Sequence, residues 1–129
     1  MSSVSVMVVD DVPLMRGLLI NTLRMLNVTN IHEASDATSA LNIFIQDRID
    51  IVFLDINMPD VDGLTLMKRL QAIDPLVFIV MVSGESSLSN VKESIALGAK
   101  GFIVKPYTSG RIDNMIKKYN EEQPIDLSE

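Results

Sequence analysis

The residues able to do chemistry in this chain are few: the acid pair Asp10-Asp11, then Asp55, Ser83 and Lys105. Each follows directly on an apolar run, VSVMVV before Asp10, IVFL before Asp55, LVFIVMV before Ser83 and GFIV before Lys105. If those runs are neighbouring strands, three carboxylates, a hydroxyl and an ammonium share one pocket. Two carboxylates ~4 Å apart repel by about 4 kcal/mol at an effective dielectric of about 20. A cluster of three therefore needs a cation, and hard carboxylate oxygens favour magnesium or calcium. Too few protein oxygens converge for a calcium cage. Magnesium, which keeps several waters and takes one or two carboxylates plus a phosphate, is the better match. Metal, ammonium and hydroxyl around one carboxylate make a seat for the three oxygens of a transferring phosphoryl group, a reaction governed by positioning and charge neutralisation. An Asp can itself attack, giving an aspartyl phosphate. The residues thus predict Asp55 as nucleophile, Asp10 and Asp11 as holders of the metal, and Ser83 and Lys105 as binders of phosphoryl oxygens.

Positioning them is a matter of the runs themselves. They show no apolar–polar alternation, the pattern of strands covered on both faces in a parallel sheet. The carboxyl edge of such a sheet is where reaction sites collect. Strands are predicted over 4–9, 31–34, 51–54, 76–82 and 101–104, with helical stripes between them. Pro13 fits a first helical turn, because its missing N–H would have been unpaired there anyway. Met15, Leu19, Leu23 and Leu26 then mark one face, with Arg16, Asn21 and Arg24 opposite. Ser35-Asp36 offers a cap for a second stripe of Ala37, Ala40, Leu41, Phe44 and Ile45. Leu66, Met67, Leu70 and Ile73 form a third before Pro75; Leu88, Val91 and Ile95 a fourth, stopped by Gly98. Ile112, Met115, Ile116 and Tyr119 form the fifth. Five strands alternating with five helices predict a parallel α/β sheet with helices on both faces. Right-handed crossovers then bring the polar strand ends to one edge.

At 129 residues the chain is one domain, predicted over 1–120, with an acidic, Pro-broken tail over 121–129. A net charge of −6 removes any overall electrostatic case for nucleic acid. No cysteine and a single histidine, His32, exclude a disulfide framework and a Cys/His zinc site. His32 reads as a surface residue, and the eight methionines as core filler. The start lacks the features of a signal peptide, and no apolar run approaches the roughly 20 residues needed to span a bilayer. A cytoplasmic protein without membrane insertion is the expectation.

Four motifs carry a resemblance: VVDD at 8–11, LDINMPDVDG at 54–63, VSGE at 82–85 and GAKGFIVKPY at 98–107. Together, in order and spacing, they resemble the receiver domain of two-component response regulators, in particular the single-domain, chemotaxis-regulator-like members. The resemblance covers essentially the whole chain. It implies a doubly wound, flavodoxin-like sheet of strand order 2-1-3-4-5. It implies Asp55 as phosphoacceptor, Asp11 as direct Mg2+ ligand, Asp10 as a partner acting largely through water, and Asn57 as a main-chain carbonyl ligand. Ser83 matches the switch hydroxyl, Lys105 the family lysine and Phe102 the switch aromatic, although strand physics alone makes Phe102 a core residue. A cis Lys105–Pro106 bond becomes an expectation too. Asn57 and Glu85, each two residues beyond a site residue, are candidates for tuning hydrolysis of the phosphate.

The resemblance also implies partners. Phosphoryl arrives from a phosphohistidine on a histidine kinase or a histidine phosphotransfer protein. The surface of helix four, strand five and helix five then changes and binds a downstream effector protein. The unphosphorylated form is expected to be a monomer that catalyses only its own phosphorylation and dephosphorylation. Such a response is a population shift, set by contacts available in one conformer alone. Ser83 lacks the methyl of the commoner Thr, and Phe102 lacks a hydroxyl with which its inward and outward orientations would be told apart.

Two other classes compete. A dehalogenase-type phosphatase also uses an Asp after a strand, but it usually needs an acid two residues on, where Asn57 stands, and it leaves Asp10-Asp11 unexplained. A receiver-like interaction module working without phosphorylation is the other, and the intact acid site argues against it. Flavin binding fits poorly, since no Ser/Thr/Gly-rich phosphate loop follows the first strand.

Overall fold

The apolar runs become strands buried at every residue: β1 (Ser5–Val9), β3 (Ile51–Asp55) and β4 (Phe78–Ser83). The computed structural model describes residues 4–84 and 88–122. Strands β2 (Asn30–Ala34) and β5 (Gly101–Val104) lie at the edges and are partly exposed. All pairings are parallel, in the order β2-β1-β3-β4-β5, which is the doubly wound arrangement expected. The connections are α1 (Pro13–Met25), α2 (Ala37–Gln46), α3 (Gly63–Ile73) and α4 (Leu88–Ala96), and α5 (Ser109–Glu122) closes the chain.

Because successive strand side chains point to opposite faces, the sheet divides the core in two. Met7, Val9, Val52, Leu54, Ile79 and Met81 meet α2 and α3 through Ala40, Phe44, Leu66, Met67 and Leu70. Val6, Val8, Ile51, Phe53, Phe78 and Val80 meet α1 and α5 through Leu19, Ile20, Leu23 and Ile112. Among the described residues no helix is long and apolar enough to cross a membrane.

Several expected core positions turn out otherwise. Leu76 is 89% exposed and β4 begins only at Phe78. The Asp74 side chain accepts from the Leu76 amide at 3.0 Å and its carbonyl from the Val77 amide at 3.2 Å, a turn that throws Leu76 outward. Ile45, Ile73 and Ile95 are exposed as well. In α2 the inward position belongs to Phe44, and in α4 to Ser94, each one residue before the isoleucine. Gly98 does end α4, at φ 105°, with the Ala99 amide donating back to the Ser94 carbonyl at 2.9 Å. At the other end α5 continues through Glu122, so Glu121 and Glu122, the first two residues of the expected tail, are helical. A solvent-exposed ion pair joins Lys100 and Glu122 of that last turn at 3.3 Å. Residues 123–129 of the expected tail, the Glu85 position and the Leu88 side chain lie outside the described residues.

Candidate functional site

The register of the sheet assembles the site. Val9 pairs with Leu54, so the next residues, Asp10 and Asp55, leave adjacent strands side by side. Asp55 pairs with Val82, and Ser83 with Val104, which brings Ser83 and Lys105 to the same edge. The Lys105 amide donates to the Ser83 carbonyl at 2.7 Å, fixing where the lysine side chain starts. Its Nζ then lies 2.9 Å from Asp10 Oδ2 and 3.5 Å from Asp55 Oδ2. Asp10, Asp11 and Asp55 each offer a carboxylate oxygen, all within 4.8 Å of one another. The convergence read from the strand ends is therefore present: three acids, one ammonium and, at the end of β4, the fully buried Ser83.

Local hydrogen bonds hold each acid. Asp10 Oδ1 accepts from the Val12 amide at 2.9 Å, and the Asp10 amide donates to the Ala34 carbonyl at 3.1 Å. Asp55 Oδ1 accepts from the Asn57 amide at 3.1 Å. The loop after Asp55 returns to α3, where the Asp62 side chain caps the helix by accepting from the Thr65 amide at 2.8 Å. On the other side of the pocket the Lys105–Pro106 bond is cis, as expected.

The electrostatics are strained. Burial pushes the Asp55 carboxyl above its ordinary range. The Asn57 amide and the Lys105 ammonium pull it back, and the neighbouring Asp10 charge pushes it up again. One ammonium faces three carboxylates, so the pocket is short of positive charge. Among the described residues the Asp11 carboxylate takes no hydrogen bond or ion pair. An all-oxygen donor set with an unspent carboxylate is the chemistry that suits a hard divalent cation.

The remaining expected residues fall less uniformly. Asn57 is exposed in the loop beyond Asp55. Phe102 pairs with Met81 in the sheet and is partly buried against the α2–α3 side of the core. His32 is half-buried on β2. Two residues at the site escaped the sequence reading. Arg16, expected on the outer face of α1, folds back: its Nη1 donates to the Asp10 carbonyl at 2.7 Å and its Nε to Glu33 at 2.8 Å. The available signal was its place one turn into a helix that starts at the acid pair. Tyr107 donates to the Met15 carbonyl at 3.2 Å, tying the loop after β5 to α1.

Comparison with known proteins agrees with this geometry. Residues 6–117 match the response regulator receiver domain. The chain is 33% identical over 118 residues to the chemotaxis protein CheY of Pseudomonas aeruginosa, covering 90% of this chain and 95% of the relative. It is 31% identical over 121 residues to CheY-3 of Vibrio cholerae, covering 92% and 93%. Among solved structures, CheY4 of Vibrio cholerae crystallised at low pH superposes with a TM-score of 0.84 at 26% identity, covering 92% of this chain and 99% of that one. A CheY-like receiver domain protein from Methanospirillum hungatei gives 0.85 at 26% identity, covering 93% and 96%.

Proposed function

The chain belongs to the response regulator receiver domain family as a CheY-like member, and from that premise we propose that it is a phosphorylation-controlled signalling switch with Asp55 as phosphoacceptor. The observation that carries the reading is Lys105 Nζ poised between Asp10 and Asp55, 2.9 and 3.5 Å away, in a pocket of three acids. An Asp55 oxygen attacks the phosphorus of a phosphohistidine on a histidine kinase or histidine phosphotransfer protein. The P–O bond forms as the P–N bond breaks, and the imidazole nitrogen keeps the electron pair. Lys105 turns from the carboxylates to a phosphoryl oxygen, and the Ser83 hydroxyl donates to another. A magnesium ion held by Asp10, Asp11, Asp55 and the Asn57 carbonyl would supply the missing positive charge at the phosphoryl oxygens.

Ser83 and Phe102 sit on neighbouring strands, β4 and β5. Recruiting Ser83 favours the conformer that accommodates Phe102 inward, and the α4–β5–α5 surface changes for a downstream effector protein. Water then attacks the phosphorus and releases phosphate, with Asn57 and Glu85 tuning the rate. In this reading the protein resides in the cytoplasm, is a monomer before phosphorylation, and catalyses no reaction but its own modification and its reversal.

The test is acetyl phosphate with magnesium, followed by intact mass. One labile phosphoryl adduct is expected, lost in Asp55→Asn and in chelator. Absence of any adduct on the wild type sinks the proposal in favour of a fixed interaction module. Rapid turnover of unrelated phosphomonoesters sinks it in favour of a phosphatase.

A further inference from the structure

The geometry points to Arg16 as a positioning residue that orients the Asp10–Asp11 peptide and thereby sets the divalent-cation affinity of the acid site. This rests on the metal reading above. Asp10 has every polar group engaged: its amide by Ala34, one carboxylate oxygen by Val12, the other by Lys105. Its carbonyl lies just past the end of β1 and accepts from Arg16 Nη1 at 2.7 Å. The peptide from that carbonyl to the Asp11 amide is planar and stiff. Holding the carbonyl therefore holds the direction in which Asp11 leaves the strand. Asp11 itself has no side-chain partner among the described residues, so backbone direction decides where its carboxylate goes.

Arg16 is well placed to do this. The Arg16 amide makes the first helical bond of α1, to the Val12 carbonyl at 3.0 Å. Helical side chains tilt back toward the N-terminus, here toward Asp10. The guanidinium is a rigid planar fork, and its second arm is pinned at 2.8 Å by Glu33 on β2. The Arg16 side chain is only 16% exposed, while Glu33 is 59% exposed. An ion pair so open to solvent adds little stability by itself. The Glu33 carboxylate offsets part of the guanidinium charge, and the role assigned to Arg16 is one of direction rather than field.

The charge-conserving double variant Arg16→Met with Glu33→Gln isolates direction from field. Magnesium affinity is read by calorimetric titration, the Asp11 and Val12 amide resonances are read in chelator, and the folding midpoint in chelator is the control. The double variant is expected to lose about tenfold or more in magnesium affinity, as when partners that orient metal ligands are removed. The Asp11 amide resonance shifts before any metal is added, and the magnesium concentration for half-maximal adduct formation rises in parallel. Arg16→Lys, which keeps the charge but offers no fork, falls between. Unchanged or tighter magnesium binding in the double variant overturns the assignment. So does an affinity loss matched by an equal loss of folding stability in chelator, which is a structural role. A wild type that neither binds magnesium nor takes the adduct removes the metal reading, and this inference with it.

Discussion

Gly63 lies so close against the end of β3 that a Cβ on it would stand 2.5 Å from the Asp55 carbonyl oxygen and 2.6 Å from the Ile56 Cα. Both neighbours are backbone, so neither can swing away. The Gly63 amide also donates to the Ile56 carbonyl at 2.9 Å, which locks the start of α3 under the site loop. Gly63→Ala must therefore push α3 off β3 or displace Asp55. A destabilisation of ~1–3 kcal/mol, the usual range for overpacking, is expected in denaturant unfolding. A reduced yield of phosphoryl adduct should accompany it. An alanine variant with unchanged stability would show that α3 moves freely.

The contrast between Leu54 and Leu76 explains how much of the fold was legible in the sequence. Leu54 belongs to an uninterrupted apolar run flanked by polar turns, and such a run has only one good home, a central parallel strand. With β1 and β4 read the same way, the sheet and its acid edge followed. Leu76 looks identical in composition, yet it is 89% exposed, because Asp74 bonds the next amides and turns the chain before the strand begins. Helical stripes misled for a related reason. A helix on this sheet buries a narrow face, so Ser94 rather than Ile95 points inward. Arg16 was hidden because periodicity assigns a face but not a reach. Its long side chain crosses back over the helix terminus to Asp10.

Asp55 makes the metal-free protein pH-sensitive in a definite direction. Its carboxyl is held above the ordinary range, first by burial. A raised folded-state value means that ionisation is harder in the native protein than in the unfolded chain. The stabilising contribution is then full below the unfolded value and lost as pH rises through the folded one. Asp55→Asn removes this penalty. In chelator at neutral pH it should unfold at a higher temperature than the wild type, and the gain should vanish in acid below the unfolded carboxyl range. Magnesium should narrow or reverse the difference, since only the wild type keeps the full acid set. Equal midpoints in chelator at neutral pH would contradict the strain at Asp55.

Ser94 offers an independent test of α4. Its side chain is fully buried, and its hydroxyl has no hydrogen-bond partner among the described residues. A buried unsatisfied hydroxyl costs ~1–3 kcal/mol, and alanine is also the better helix former. Ser94→Ala should stabilise the protein by about 1 kcal/mol, raising the thermal midpoint by roughly 3–5 °C for a domain of this size. A loss of stability would mean the hydroxyl is bonded in solution.

The two tyrosines report on both ends of the sheet at once. Burial pushes the Tyr107 phenol up to about 12, with the Asp10 charge adding to it. Burial likewise pushes Tyr119 up to about 12, followed by the Asp50 charge and its hydrogen bond, while Arg48 opposes. Tyr119 also packs edge-on against Phe78, with ring centroids 5.5 Å apart. Raised folded-state values mean that the neutral phenols favour the native state. Their contribution is whole below the unfolded value of about 10 and is lost as pH climbs beyond it. In an ultraviolet titration the native protein should show little tyrosinate where a urea-unfolded sample is half ionised. The remaining signal should arrive either near pH 12 or together with alkaline unfolding. Because these are the only tyrosines in the chain, Tyr107→Phe leaves a trace from Tyr119 alone, and the difference between the two titrations isolates the phenol that ties the β5–α5 loop to α1. A Tyr107 midpoint at the unfolded value would mean that this tie to the Met15 carbonyl is open in solution.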